Sequence, residues 1–599
     1  MSSIGSELEK FFGLPGPSYI QKTLSKTRKN KTLLNAVRKF QNDNGIKSSV
    51  MPPALKLLDM HGVRRTDAYE TMIGDASTLL LNRLKALGAD RSEESIRLLQ
   101  EHLDKCFSMH NIPQIRPIVL ETLSQLPKLS DKYVELVVAD SRLYEDSSVR
   151  VKQQVWLRHE DLFMDACRPV IDSYFRAKQA VLCFIDPSPT NFFSSETTKS
   201  RRQWEQIQKL VTMVGEYDTL YAKLMSLIRE AYLESADAIF CSMKLEVIMA
   251  AHDANADVVK NDVSHELAWC LDMCLRDKHI DIQQQTRIKN VLENAKKYTP
   301  EVVGDLAMVA ADPHVVHFLC TTAIRLLRDQ TAHMPRDQHG LQLIIRLLTL
   351  AASTHKIVQT QEVPPQMVDT IFFTKFLPAM ASLIIEDVMR AELAKNDMVE
   401  ESERLGLYSA PSDTLMTFLR AEPAAALLWI HYSVDLLPRR SLDIRGALRY
   451  LRVMPYLKDQ LVVRAPWCHL LTHRLLTAPL LERLVNDPEV ITIIVDRLFL
   501  ASLKVDIYLK YQLLRMTKQL HRILHPNVGL AILEHISPEK VGDVIDGERY
   551  SADYSRTLAK VVPKEEEKPL GMPPPATPMQ AAAATPARVA PSSTPSHSF

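Results

Sequence analysis

Apolar residues recur at three- and four-residue spacing along almost the whole chain, and the alternation of a half-buried strand is nowhere sustained. The pattern predicts helix after helix, each roughly 10–20 residues long. Several predicted starts carry a cap residue followed by proline: Thr299-Pro300, Asp312-Pro313, Asp487-Pro488 and Ser537-Pro538. Proline at the first helical position loses no hydrogen bond, because that amide has no intrahelical partner anyway. The segment Val490–Leu503 is apolar enough to pass for a strand, but its Asp-Pro-Glu start and its length favour a helix. Leu341–Ala352 is apolar on nearly every face, and such a helix must be covered by neighbours on both sides.

Successive helices of this kind predict an all-α fold, an irregular HEAT-like α-solenoid of antiparallel helix pairs. A strict sequence period is absent, so a compact multi-bundle protein is the structural alternative. Changes in composition divide the chain further. Residues 1–32 form a basic N-terminal arm, 33–393 an N-terminal and central solenoid, 394–413 a charged linker and 414–561 a C-terminal solenoid. Residues 562–599 are a Pro/Ala/Ser/Thr-rich tail with almost nothing to bury, and the tail is expected to be disordered. Thr577, Thr585 and Thr594 each precede a proline there and are candidate phosphorylation sites.

Thr198–Gly215 combines a polar start with an apolar ladder. Ser200 and Gln203 have capping-box spacing, Trp204, Ile207, Leu210, Val211 and Val214 follow at helical spacing, and Gly215 is placed to end the helix. Arg201 and Arg202 would then occupy the first turn, where the helix dipole disfavours cations. That placement suggests an anionic partner from outside, with two solvated arginines as the plainer reading.

Composition narrows the function. The chain has 599 residues, of which 46% are hydrophobic and only 16 are glycine, which disfavours turn-rich β architectures and glycine-dependent phosphate loops. The net charge of +1 does not favour polyanion binding by the molecule as a whole. Eight cysteines are scattered through apolar helical patterns without a CxxC, as expected of reduced, buried thiols in an intracellular protein. The N-terminus lacks a signal-peptide core and no run of about 18 apolar residues appears, so a soluble, non-secreted chain is expected.

Candidate chemistry is sparse. His265–Trp269 begins like a zincin helix, but Trp269 stands where the second histidine is required. His265, Cys270, Cys274 and His279 are zinc-ligand types, yet their spacing does not bring all four to one face of a helix, so no metal is expected. Neither a GxSxG, a Walker loop nor a dinucleotide fingerprint is found, and neither an enzyme nor a cofactor is expected. Basic clusters are the stronger signal. Between Glu9 and Asp43 there is no acidic residue, while Lys22, Lys26, Arg28, Lys29 and Lys31 crowd the arm. The arm reads as a weak phosphate contact to RNA, as a nuclear-localisation signal or as a solvated segment. A second cluster, Arg439, Arg440, Arg445, Arg449 and Arg452, is interleaved with Asp435 and Asp443 and reads as a salt-bridged helix face.

Several segments, in order along the chain, resemble the negative elongation factor B (cofactor-of-BRCA-type) family, which contributes a large helical subunit to the negative elongation factor complex. They include Phe40–Ile46 (FQNDNGI), Leu58–Gly62 (LDMHG), Val151–Trp156 (VKQQVW), Arg201–Gln203 (RRQ), Trp269–Asp277 (WCLDMCLRD), Gly304–Pro313 (GDLAMVAADP) and Lys375–Asp387 (KFLPAMASLIIED). The match covers roughly residues 33–390 and continues more loosely to the LHPNVG segment around His525; the first 30 residues and the tail do not share it. The resemblance implies a nuclear, non-catalytic scaffold with a HEAT-like fold. Such a subunit joins the complex's second large helical subunit to its RNA-recognition-motif subunit. With the DRB-sensitivity-inducing factor, the complex holds RNA polymerase II in promoter-proximal pausing. The resemblance carries no catalytic residues and leaves Arg201 and Arg202 available to a partner or to RNA. Two alternatives from other classes stay open: a generic HEAT-type adaptor in transport or signalling, and an RNA-binding protein in its own right.

Overall fold

The computed structural model describes residues 65–113, 115–184, 198–295, 297–331, 338–361, 372–407, 411–439, 453, 507–522, 524–541 and 546–562. Among them every regular element is helical and no strand occurs. The basic arm, the tail and Val490–Leu503 lie outside the described residues. The helices run as α1 (Arg65–Asp90), α2 (Glu93–Cys106), α3 (Arg116–Gln125), α4 (Asp131–Ala139), α5 (Ser141–Asp146), α6 (Val149–Trp156) and α7 (Glu160–Phe184). They continue as α8 (Thr198–Arg202), α9 (Glu205–Val214), α10 (Asp218–Ser235), α11 (Ile239–Asp253), α12 (Val263–Asp277), α13 (Ile282–Ala295), α14 (Pro300–Ala310) and α15 (Pro313–Thr331). Then come α16 (Gln338–Ala352), α17 (Thr354–Thr360), α18 (Leu377–Lys395), α19 (Val399–Arg404), α20 (Asp413–Ala421) and α21 (Pro423–Arg439). Towards the C-terminus lie α22 (Ile507–Leu520), α23 (Pro526–His535), α24 (Pro538–Val541) and α25 (Gly547–Val561).

The described starts α14, α15 and α24 coincide with the proline-marked positions predicted from sequence. Packing is mostly between helices close in the chain: α1 against α2 and α3, α7 against α9 and α10, and α12 against α13 and α14. Helix α11 is buried from Ile239 through Ala251, because α9, α10, α12 and α14 pack around it. Helix α16 is covered by α14, α15 and α21, as its all-round apolar sequence requires.

The chain divides by contacts into two units, one ending at Gln512 and one beginning at Leu513. In the second unit α25 packs on α23 and α24, and the Tyr550 hydroxyl donates to the Ile536 carbonyl at 2.7 Å. The charged stretch 394–413 lies inside the first unit and contains α19. Helices α18 and α21, one from each side of it, both pack on α15.

The predicted single helix from Ser200 to Gly215 is two helices. α8 ends at Arg202, Trp204 adopts extended dihedrals as the N-cap of α9, and Gln203 is exposed instead of closing a capping box. Side chains stabilise the break. The Trp204 ring lies edge-on to Tyr174 with centroids 5.7 Å apart, and Gln208 Nε2 donates to the Arg202 carbonyl at 2.7 Å. Gly215 does end α9, with φ +60° and ψ −128°. A Cβ there would meet Gln153 Nε2 at 2.5 Å, and that amide nitrogen already donates to the Thr212 and Met213 carbonyls. Gly215→Ala should therefore cost about 1–3 kcal/mol, from backbone strain and displacement of Gln153. Urea unfolding of the purified variant would measure the loss, and an unchanged midpoint would contradict it.

Candidate functional site

The pair Arg201–Arg202 leads to the most extensive polar arrangement among the described residues. Both side chains point inward; the residues are 2% and 8% exposed. The expectation of solvated arginines open to an outside anion is corrected here, because carboxylates from later helices supply the anions internally.

Arg201 Nε donates to Glu246 Oε1 on α11 at 3.0 Å, and its two terminal nitrogens donate to Asp312 at 3.3 and 2.6 Å. The remaining capacity of these carboxylates is also used. Tyr174 donates to Glu246 Oε2 at 2.5 Å, and Lys178 Nζ stands 3.8 Å from Oε1. Ser242 donates to Asp312 Oδ1 at 2.6 Å, and the Val315 amide donates to Oδ2 at 3.1 Å, so Asp312 also caps the start of α15. Lys178 Nζ lies 4.1 Å from the Trp204 ring centroid, a cation–π contact that fills the break between α8 and α9.

Arg202 forms the neighbouring node. It donates to Asp253 at 3.0 and 2.8 Å and to Asp272 Oδ1 at 2.5 Å, while Arg276 takes Asp272 Oδ2 at 3.2 Å. Nearby, Asp305 on α14 accepts from Arg229 on α10 and from the wholly buried Lys244 on α11, each at 2.8 Å. Charge pairing thus ties together α7, α8, α10, α11, α12, α14 and α15.

The electrostatics follow from burial and pairing. Burial alone would weaken the Arg201 charge, but Asp312 and Glu246 outweigh it and raise the guanidinium pKa above its ordinary value. Burial would push Asp312 up, yet Arg201, His314 and Ser242 hold it well below the carboxylate range. At Glu246 burial wins over Lys178 and Arg201, and its pKa is raised. The oxygens facing Arg201 are occupied by donors from the protein itself, so this arrangement fixes helices in register.

The histidine–cysteine cluster does not converge. Cys270 and Cys274 are buried, and burial pushes their thiols up to about 11 and about 12. Cys274 Sγ faces Gln284 at 3.3 Å, His265 Nε2 pairs with His252 Nδ1 at 3.0 Å, and His279 is exposed. Among the described residues no three His, Cys, Asp or Glu side chains are grouped to hold a metal ion. Lys22, Lys26, Arg28, Lys29, Lys31, Thr577, Thr585 and Thr594 lie outside the described residues, as do Arg440, Arg445, Arg449 and Arg452. Among the described residues no single helix is long and apolar enough to cross a membrane.

Sequence reasoning missed Glu246, Asp312, Asp272, Lys244 and Asp305 as members of the lattice. The available signal was Lys244 and Glu246, two charges in a stretch from Ile239 to Ala251 that is otherwise apolar apart from Ser242.

These features define a class: an all-helical protein of successively packed helices, braced internally by paired charges. Within that class, residues 113–459, more than half of the chain, match the Cofactor of BRCA1 (COBRA1) family, and the chain belongs to that family. Negative elongation factor B of Drosophila melanogaster is 30% identical over 531 residues, covering 88% of each chain. The mouse protein of the same name is 28% identical over 543 residues, covering 90% of this chain and 91% of its own. The human one is 28% identical over 449 residues, covering 74% of this chain and 76% of its own.

Proposed function

We propose that this chain is a non-catalytic scaffold subunit of a negative elongation factor complex, acting in the nucleus. It would bridge the second large helical subunit and the RNA-recognition-motif subunit. Through the complex, with the DRB-sensitivity-inducing factor, it would hold RNA polymerase II in promoter-proximal pausing and so repress elongation. The observation that carries this reading is the nearly end-to-end likeness to Drosophila negative elongation factor B. Described elements that are all helical, with Arg201, Arg202, Lys244 and Glu246 buried in internal ion pairs, suit a scaffold, and a HEAT-like arrangement of helix pairs belongs to the same reading.

The test is purification of the tagged chain from nuclear extract, with mapping of engaged polymerase after its depletion. The expected result is recovery of both partner subunits and release of polymerase from promoter-proximal positions. Recovery of transport or signalling proteins without any elongation factor would instead favour a generic HEAT-type adaptor.

RNA contact in this reading is auxiliary and electrostatic, made by Lys22, Lys26, Arg28, Lys29 and Lys31, while Thr577, Thr585 and Thr594 are sites for proline-directed kinases. Each phosphate neutralised on a single strand adds about 0.7 to the slope of log affinity against log salt. Replacing Lys26, Arg28, Lys29 and Lys31 by Ala should flatten that slope and weaken all RNA sequences alike, with assembly unaffected. Salt titrations on two unrelated RNAs check this. Loss of assembly with RNA binding intact would make the arm a protein interface instead.

A further inference from the structure

Helix α18 is apolar on two opposite sides. Leu377, Met380, Leu383, Ile384 and the Asp387–Arg390 pair face inward, where the helix packs on α15. On the other side Ile385, Val388 and Met389 are 45%, 51% and 44% exposed. At 100° per residue these three fall on one arc with Glu392, pointing away from the buried stripe. Helix α19 packs on α18, and the residues flanking it add Met398 and Leu405, 47% and 50% exposed. Scattered exposed apolar residues are ordinary on a protein surface; three on a single helical arc beside two more are not scattered.

The charge around this arc is one-sided. From Glu386 to Arg404, setting aside the buried Asp387–Arg390 pair, six carboxylates stand against two cations, a net charge of −4. Both cations are already engaged, Lys395 with Glu392 at 2.7 Å and Arg404 with Glu401 at 2.5 Å. An apolar strip one helix wide on an acidic segment repels nucleic acid and complements a helix with an apolar stripe and cationic flanks.

We propose that the outer arc of α18, with α19, is a docking surface for a basic amphipathic helix of a partner protein, lying against Ile385, Val388 and Met389. This deepens the scaffold reading and rests on it for the identity of the partner, while the chemistry of the surface is testable separately.

The probe is a labelled 18-residue amphipathic peptide of leucine and lysine, titrated by fluorescence anisotropy into the full chain. Controls are the same peptide with glutamate for lysine and one of scrambled order. The basic peptide should bind, and more weakly as salt rises. Val388→Glu should weaken it at least about tenfold, as truncating a central apolar anchor does. Glu392→Lys with Glu400→Lys should weaken it and remove most of the salt dependence. All three side chains are exposed, so circular dichroism of the variants should match the wild type. Binding that Val388→Glu leaves unchanged, or equal binding of the acidic or scrambled peptide, overturns the proposal. So does a sedimentation result in which the chain dimerises and Val388→Glu dissolves the dimer, since a second copy would then be the occupant. Assembly in nuclear extract separates the two readings. If the wild-type chain recovers no elongation subunit, the scaffold reading fails while the peptide result stands. If wild type and Val388→Glu assemble equally, the surface proposal alone fails.

Discussion

Arg201→Ala should lower the unfolding free energy of the first unit by about 3–5 kcal/mol, the usual cost of deleting one member of a buried ion pair. The cost comes from what remains. Asp312 is fully buried and Glu246 is 3% exposed, and both would lose their principal guanidinium donor in a site that water does not reach. The contrast is Arg97→Ala at the Arg97–Glu101 pair, where the side chains are 71% and 51% exposed and 3.8 Å apart. Deleting an exposed pair of that kind should cost under about 1 kcal/mol. Urea unfolding followed by far-ultraviolet circular dichroism would rank the two. Equal midpoints would mean that the Arg201 pairing has no special energetic weight.

Acid should act on the same node with a definite sign. Asp312 is held below its ordinary value of 3.8, so its contribution is fully present above about pH 3.8 and is lost as pH falls further. Glu246 is shifted the other way, above 4.5, so its ionisation costs stability as pH rises from about 4.5 through the raised value. The stability curve should therefore fall steeply below pH 4, and Asp312→Asn should flatten that fall. An acid limb identical in Asp312→Asn would show that other carboxylates set it.

How much of this was legible in the chain differs by level. Helix type and several starts could be read directly, because proline at N1 and three- and four-residue apolar spacing are local signals. Gly215 was likewise readable as a terminator. The break at Trp204 was not, because the interactions that favour it come from Tyr174 and Lys178 on the preceding long helix. The arginines were misread for the same reason. From the local sequence, Arg201 and Arg202 are cations in a first turn, whereas their partners lie 45 to 111 residues further on. Only the buried charges of Ile239–Asp253 hinted at such partners, since a lysine and a glutamate with apolar residues on every side must be neutralised by other helices. Membership of the family was legible as collinear short segments, and the family match over residues 113–459 contains five of them, from Val151–Trp156 to Lys375–Asp387.

Arg390→Ala is the second substitution expected to be severe. Arg390 and Asp387 are 1% and 0% exposed on the inward face of α18, with Arg390 donating to Asp387 Oδ1 at 2.7 Å. The hydroxyl of Tyr432 on α21 donates to the other oxygen of Asp387, and the guanidinium of Arg328 on α15 sits 5.8 Å from the Tyr432 ring centroid. Helices α18 and α21 therefore meet at one carboxylate, and α15 meets the tyrosine ring that donates to it. Removing Arg390 leaves Asp387 buried with its cation gone, at a cost of about 3–5 kcal/mol. Tyr432→Phe keeps the ring and loses one hydrogen bond to a charged group, at about 1.5–3 kcal/mol. The double substitution Arg390→Ala with Tyr432→Phe should cost less than the sum of the singles, because both act on the same carboxylate. Because the node anchors the inward face of α18, peptide binding to the outer arc should weaken in Arg390→Ala although Arg390 touches no part of that arc. Unfolding midpoints of the three variants, with the same peptide titration, check both claims. Strict additivity, or an Arg390→Ala cost below about 1 kcal/mol, would show that Asp387 does not couple α18 to α21.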